Sequence, residues 1–255
     1  MQYVVSAVAV VPIRKEPIHS SEMVSQLLLG EAAEILAQEG VFYHIKCLFD
    51  GYEGWCHKVQ MKVVIDSRAL VANNLYSKER FSNVMVNNEC HIASIGTPLP
   101  LGKKQKWIGK ELFSYKKSIA WDVTTAAFTA ENIEMVTSKF LNTPYLWGGR
   151  SAYGIDCSGF VQQVLKFFGK SLPRDAYLQV KEGVVIGFLQ EVKCGDIAFF
   201  DDAEGKIIHV GILLNDSTII HAYDRVKVDL IDPLGIISAE NKVRTHQLRV
   251  IKRMI

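Results

Sequence analysis

The chain has 255 residues, with 29 Lys plus Arg against 27 Asp plus Glu, and 49% of its residues are apolar. That is the profile of a globular protein with a real core, not of a disordered or fibrous one. A net charge of +2 supplies no field to draw nucleic acid or an anionic membrane surface, so neither is expected as a partner.

Residues 3–13, YVVSAVAVVPI, have about the length of a signal-peptide core. No Lys or Arg precedes them, however, and Arg14, Lys15 and Glu16 follow at once, so a buried strand is the better reading. The runs QLLLGEAAEILAQEG, VFYHIKCLF and DGYEGWCHKVQMKVV are each about strand length and are punctuated by Gly30, Gly40, Gly51 and Gly54. With no amphipathic helix between them, residues 1–63 read as a small β-barrel. The stretch AVAVVPIRKEPIHSSEMVSQLLLGE followed by GYEGW resembles a bacterial SH3-like domain. Residues 64–125 carry shorter apolar stretches, SNVMVNN, CHIASIGTPLPLG and KWIGKELFSYKK, broken by Asn, Gly and Pro. A second, degenerate SH3-like barrel is expected there, the alternative being an extended linker. The densest basic cluster, Lys103, Lys104 and Lys106, reads as a solvated loop.

From residue 126 the pattern changes. TAENIEMVTSKFL has helical spacing with a cap among Thr129 to Asn132, and TPYLWGGRSAYGIDCSGFVQQVLKFFG reads as a loop ending in a helix. Strand-like runs follow at DIAFF, HVGILL and TIIHAY. A helix first and antiparallel strands afterwards predict an α+β domain over 126–255. No apolar run approaches the roughly 18 to 20 residues of a spanning helix, so no membrane span is expected.

The sharpest local feature is DCSGFV. Phe160, Val161, Val164, Leu165 and Phe168 form an apolar stripe that faces a core, which puts Cys157 at a helix start. Unpaired N–H groups and the positive end of the macrodipole favour a thiolate there. A lone cysteine is more often an inert buried side chain, but Asp156, Ser158 and Gly159 flank this one, and two histidines can serve it. His209 and His221 sit in strand-like segments twelve residues apart, a spacing that fits neighbouring strands of a hairpin. One can act as base and the other can orient it. The five cysteines, an odd number spread thinly, are no disulfide framework and fit a reducing cytoplasm. Cys56–His57 and Cys90–His91 lack zinc-site spacing, so no metal is expected. WGGRSAYG lacks the features of a phosphate-binding loop. Asp201 with Asp202, and Asp229 with Asp232, read as solvent-exposed turn residues.

DCSGFV, HVGILL and IIHA in this order, with TPYLWGG upstream, LPRDAYLQ downstream and CGDIAFF before the first histidine, are similar to the NlpC family of cell-wall cysteine peptidases. That family has a papain-like core permuted so that cysteine precedes histidine. The resemblance implies two small SH3-like barrels, 1–63 and 64–125, before a papain-like catalytic domain, 126–255. It also implies hydrolysis of bonds to γ-D-glutamyl in peptidoglycan peptides, without a cofactor. Cys157 would be the nucleophile, His209 the base and His221 the third polar member, with Tyr145 donating to the oxyanion beside the Cys157 N–H. Barrels before such a domain resemble the dipeptidyl-peptidase branch, which trims free L-Ala-γ-D-Glu-diamino acid peptides in murein recycling. In that branch Asp156, supported by the Tyr52 hydroxyl, would hold the substrate ammonium. A barrel carboxylate would join them; Val24 stands at its place here and Glu22 is the nearest substitute. Ser158, Asp175 and the backbone at Ala176 would contact γ-D-Glu. The rival readings are an endopeptidase on polymeric peptidoglycan with wall-anchoring barrels, and a non-catalytic wall-binding protein. Oligomeric state and the choice of lysine or diaminopimelate have no local signature.

Overall fold

The computed structural model describes residues 1–64, 74–100, 105–106 and 112–255; the basic cluster at Lys103, Lys104 and Lys106 lies outside them apart from the Lys106 backbone. The chain divides into two compact units, 1–125 with 147–153, and 126–146 with 154–255.

In the first unit, seven strands form one antiparallel sheet: β1 (Gln2–Ser6), β2 (Val10–Arg14), β3 (Met23–Leu28), β4 (Ala32–Glu39), β5 (Phe42–Cys47), β6 (Glu53–His57) and β7 (Met61–Val64), in the order β3-β2-β6-β5-β4-β1-β7. All seven feed one core, through Val4, Val11, Leu27, Ala33, Ile45, Cys56 and Met61, so the sheet coils around it, as its natural twist allows. Residues 3–13, expected as one strand, are two. The Ser6 hydroxyl donates to the Val8 carbonyl at 2.9 Å and helps turn the chain where no Gly, Pro or Asn marks a turn. Six further strands follow: β8 (Leu75–Ser77), β9 (Phe81–Val86), β10 (Glu89–Ser94), β11 (Gln105–Lys106), β12 (Leu112–Tyr115) and β13 (Ala120–Asp122). They pair as β10-β9-β12-β11 and β13-β8, over a separate core of Leu29, Val84, Val86, Ala93, Leu99 and Phe113.

Segment 147–153, with the short strand β14 (Arg150–Ser151), belongs to this unit. Arg150 is fully buried. Its two terminal nitrogens meet the two Glu31 carboxylate oxygens at 3.0 and 3.3 Å, and its guanidinium lies 5.3 Å from the centre of the Phe49 ring. The Arg150 N–H donates to Gln26 Oε1 at 2.8 Å. Gly148 takes φ +76°, and a Cβ added there would collide with the Met23 carbonyl, so no side chain fits.

The second unit begins with α1 (Ala130–Ser138), capped by the Thr129 hydroxyl, which accepts from the Asn132 N–H. Then come β15 (Gly154–Ile155), α2 (Cys157–Lys166), α3 (Ala176–Gln179) and β16 (Val184–Ile186). Six more strands complete the unit: β17 (Ile197–Asp201), β18 (Ile207–Leu213), β19 (Thr218–Ala222), β20 (Val226–Asp232), β21 (Gly235–Ile237) and β22 (Arg244–Arg253). Because β22 pairs with both β17 and β21, strands β17–β22 close into an antiparallel barrel, and β16 adds to its outside edge. Phe200, Leu213, Ile219, Ile231 and Ile236 belong to one fully or nearly fully buried cluster contributed by alternate strand positions. The intervening residues Phe199, Val210, Ile212 and Ile220 are buried too, on strands two of which, β18 and β19, pack against α2. The expected apolar stripe of α2 is present, but the helix is buried on every side, Gln162, Gln163 and Lys166 included.

The Glu31–Arg150 pair allows a direct test of the first unit. Removing one partner of a buried pair strands the other charge in a low-dielectric site, so Glu31→Ala should lower the unfolding free energy by roughly 3 to 5 kcal/mol, read by urea denaturation. An unchanged midpoint would contradict this account.

Candidate active site

Asp156 caps α2. Its Oδ1 accepts from the Gly159 N–H at 2.7 Å, one of the donors that a helix start leaves open. The same carboxylate is gripped by buried Arg174, with contacts of 3.0 and 2.5 Å, and Arg174 also donates to the Ser158 hydroxyl at 2.9 Å. The next residue, Cys157, is buried. The expectation of a resting thiolate does not hold. Burial and the neighbouring Asp156 charge push the thiol up to about 12, against opposing pulls from Arg174 and the backbone N–H groups of Ser158 and Val210. The helix-start effect is therefore real but outweighed, and the sulfur rests protonated. The Val210 contact sets the thiol beside the residue that follows His209.

The two histidines stand as the hairpin spacing requires. In the β18–β19 register Gly211 faces His221, so His209, two residues earlier on β18, is a diagonal neighbour on the same face. His209 Nε2 and His221 Nδ1 are 2.8 Å apart. Gly211 makes room for this: a Cβ there would lie 2.9 Å from the His221 Cβ and 2.8 Å from Ile219 Cδ1.

Beyond His221 stands Asp229, expected at the surface but in fact buried. It occupies the next diagonal position, with His221 facing Lys227 across β19 and β20. Its carboxylate lies 3.1 Å from His221 Nε2 and accepts from the Ala239 N–H at 2.8 Å. Burial works against its charge, but these hydrogen bonds and Lys227 prevail and hold the carboxyl below its ordinary range. Asp201, also expected to be exposed, ends β17 with its side chain largely covered, 3.5 Å from Arg249.

This chain of contacts fixes the protons. An ionised carboxylate only accepts, so His221 carries its hydrogen on Nε2; its Nδ1 then accepts from His209 Nε2–H. The His209 Nδ1 lone pair is left free. Burial first, then His221 and His246, push His209 well below 6.5, so it is a neutral base throughout the neutral range. The arrangement can take a proton from a thiol and return it to a leaving group.

The other expected site residues fall as follows. Tyr145 is half-buried, and burial with the nearby Cys157 and Asp156 pushes its phenol far up, so it remains an O–H donor. Ser158 is buried and bonded to Asp156 and Arg174. Asp175 stands at the N-cap position of α3, with Ala176 in its first turn. In the first unit, Glu22 is exposed and accepts from the Trp147 indole N–H at 2.8 Å, while Tyr52 packs partly on the seven-stranded core. Sequence reasoning missed Arg174 and Asp229. Arg174 in LPRDAY lies 18 residues after the Asp156 cap, with no local signal that joins the two; Asp229 sat in VKVDLID, whose alternation puts apolar Val228 and Leu230 outward.

Two outcomes follow. With a low-titrating base, the rate of Cys157 alkylation by iodoacetamide should stay flat from pH 8 down to 6.5 and fall only below that, as His209 becomes protonated. Asp229→Asn, which removes the charge that anchors the relay, should slow alkylation at pH 7 by roughly 10- to 100-fold. A rate that climbs steadily through pH 8.5, as for an ordinary thiol, would contradict the first, and an unaffected Asp229→Asn protein the second.

Residues 142–245 match the family model described as NlpC/P60 family, and residues 13–58 the one described as bacterial dipeptidyl-peptidase Sh3 domain. The chain is 34% identical over 215 residues to the gamma-D-glutamyl-L-lysine dipeptidyl-peptidase of Bacillus subtilis, covering 78% of this chain and 71% of that one. It is 27% identical over 234 residues to a protein of the same name from Bacillus cereus, covering 80% and 68%. A solved NlpC/P60 family protein from Bacillus cereus aligns over 99% of both chains with a TM-score of 0.81 at 20% identity, a likeness of fold. The architecture is an SH3-like β-rich region followed by a papain-like α+β domain, and the chain belongs to the NlpC/P60 family of cysteine peptidases.

Proposed function

We propose that this peptidase cleaves the γ-D-glutamyl-L-diamino acid bond of peptidoglycan-derived peptides that carry a free N-terminal L-Ala, as a step in murein-peptide recycling. The observation that carries this reading is the relay Asp229–His221–His209 beside the Cys157 helix start. The likeness to two relatives named gamma-D-glutamyl-L-lysine dipeptidyl-peptidase, each over more than three quarters of this chain, supports the choice of substrate. The three-part division at residues 63 and 125 belongs to the same proposal.

Cys157 Sγ attacks the γ-carbonyl carbon while His209 Nδ1 takes its proton. The Cys157 backbone N–H and the Tyr145 hydroxyl, which stays protonated, donate to the oxyanion. The His209 imidazolium then protonates the departing diamino-acid nitrogen, leaving a thioester. Water, deprotonated by the same Nδ1, hydrolyses it to L-Ala-γ-D-Glu and restores the thiol. Asp156 is the acceptor for the substrate ammonium, since an ammonium taken out of water needs paired oxygens. Arg174 holds Asp156 in place for that role and leaves it short of a naked buried charge. Ser158, Asp175 and Ala176 receive the γ-D-Glu portion.

Mass-spectrometric assay of L-Ala-γ-D-Glu-L-Lys, its diaminopimelate counterpart and their N-acetylated forms tests the reading. The free peptides should yield L-Ala-γ-D-Glu, and acetylation should lower kcat/KM by roughly 100-fold or more, the cost of losing a charge-paired ammonium. Equal cleavage of free and blocked peptides would overturn the amino-terminal requirement.

A further inference from the structure

A third histidine stands against the relay. His246, on β22, lies one residue beyond the stretch that the NlpC/P60 family model matches. Its ring is stacked face to face on that of His209, with centroids 4.1 Å apart and planes inclined by 23°. Two aromatic edges hold His246 in turn: Tyr223 at 4.9 Å and 85°, and Phe200 at 5.9 Å and 61°. Its Nδ1 is 2.9 Å from the Thr245 hydroxyl.

What this stack does follows from the geometry of His209. The hydrogen bond at Nε2 fixes the position of that nitrogen, yet it leaves the ring free to tilt about the line to His221. A tilt would swing the Nδ1 lone pair away from its target. A flat ring pressed on one face removes that freedom and keeps water off the same face. We propose that His246 is a positioning residue, whose ring, wedged by Tyr223 and Phe200, sets the tilt of the His209 imidazole and shields it from solvent.

The charges around it are compatible with that task. Besides His209, the charged or titratable groups facing His246 are His221 from β19, Tyr223 just after it, and Lys227 and Asp229 from β20; β17 and β21 present Phe200 and Ile236. Burial first, then His221 and Lys227 against the opposing pull of Asp229, bring His246 down to about 4. Near neutral pH it is an uncharged plate.

The proposal rests on the reading of His209 as the base for Cys157, so its test is built to fail separately. Alkylation of Cys157 by iodoacetamide, followed by peptide mass against pH, needs no assumption about the peptide substrate. His246→Phe, which keeps a flat ring, should alkylate within about threefold of wild type with the acid limb in place. His246→Ala exposes and loosens His209; its rate at pH 7 should fall roughly tenfold, and its acid limb should move up towards 6.5 as burial is relieved. His246→Leu, which fills the space without a ring, should behave like His246→Ala and replaces it if that variant fails to fold. The proposal is overturned if the Ala or Leu variant keeps both the wild-type rate and the wild-type acid limb, whatever its thermal stability. It is overturned equally if His246→Phe loses as much as they do. A wild-type protein whose Cys157 titrates like an ordinary thiol sinks the reading of the base itself, a different result from either.

Discussion

A carboxylate that can only accept hydrogen bonds determines the chemistry of this site. Asp229 dictates which nitrogen of His221 carries a proton, and His221 in turn dictates the tautomer of His209. Without that sequence of constraints, His209 could present either an N–H or a lone pair to the thiol. The carboxylate keeps its charge in a buried place because the Ala239 N–H and Lys227 compensate it, in keeping with the rule that buried charges persist only when paired and hydrogen-bonded.

The barrel makes this relay possible. Each step across it moves one strand over and two residues along, from His209 to His221 and from His221 to Asp229, a diagonal that antiparallel register provides at no extra strain. Closure through the three-residue strand β21 brings β22 round to the same neighbourhood, which is how His246 comes to lie on His209. Burial has a chemical consequence as well. It raises the thiol and lowers the imidazole, so the resting pair is neutral and charge separation coincides with attack, where the relay can stabilise it.

Much of the site was legible in the sequence because it depends on local rules. DCSGFV contains its own helix cap, and Asp156 performs that role. His209 and His221 are joined by a short hairpin, so their separation alone implies adjacency. The rest depends on inversions and long-range closure. In VKVDLID the apolar Val228 and Leu230 point outward while Asp229 points inward, the opposite of what a half-buried strand leads one to expect. His246 looked unremarkable in RTHQLRV because its partner lies 37 positions upstream (246 minus 209), reached only once the barrel has closed. The division of residues 3–13 into two strands was hidden for a different reason: a serine side chain, not a turn-forming residue, helps turn the chain. Cys157 was misjudged in charge, not in place, since helix-end electrostatics can be read from sequence whereas the degree of burial cannot.

The central claim is that His209 is neutral near pH 7, with its hydrogen on Nε2 and a bare Nδ1. Nitrogen-15 NMR of the protein labelled at its histidine rings, assigned with a His209→Gln variant, reads this directly. The account predicts a protonated-type Nε2 signal and an unprotonated-type Nδ1 signal for His209, unchanged from pH 8 to 6.5. A His209 protonated on Nδ1, or an imidazolium over that range, would contradict it.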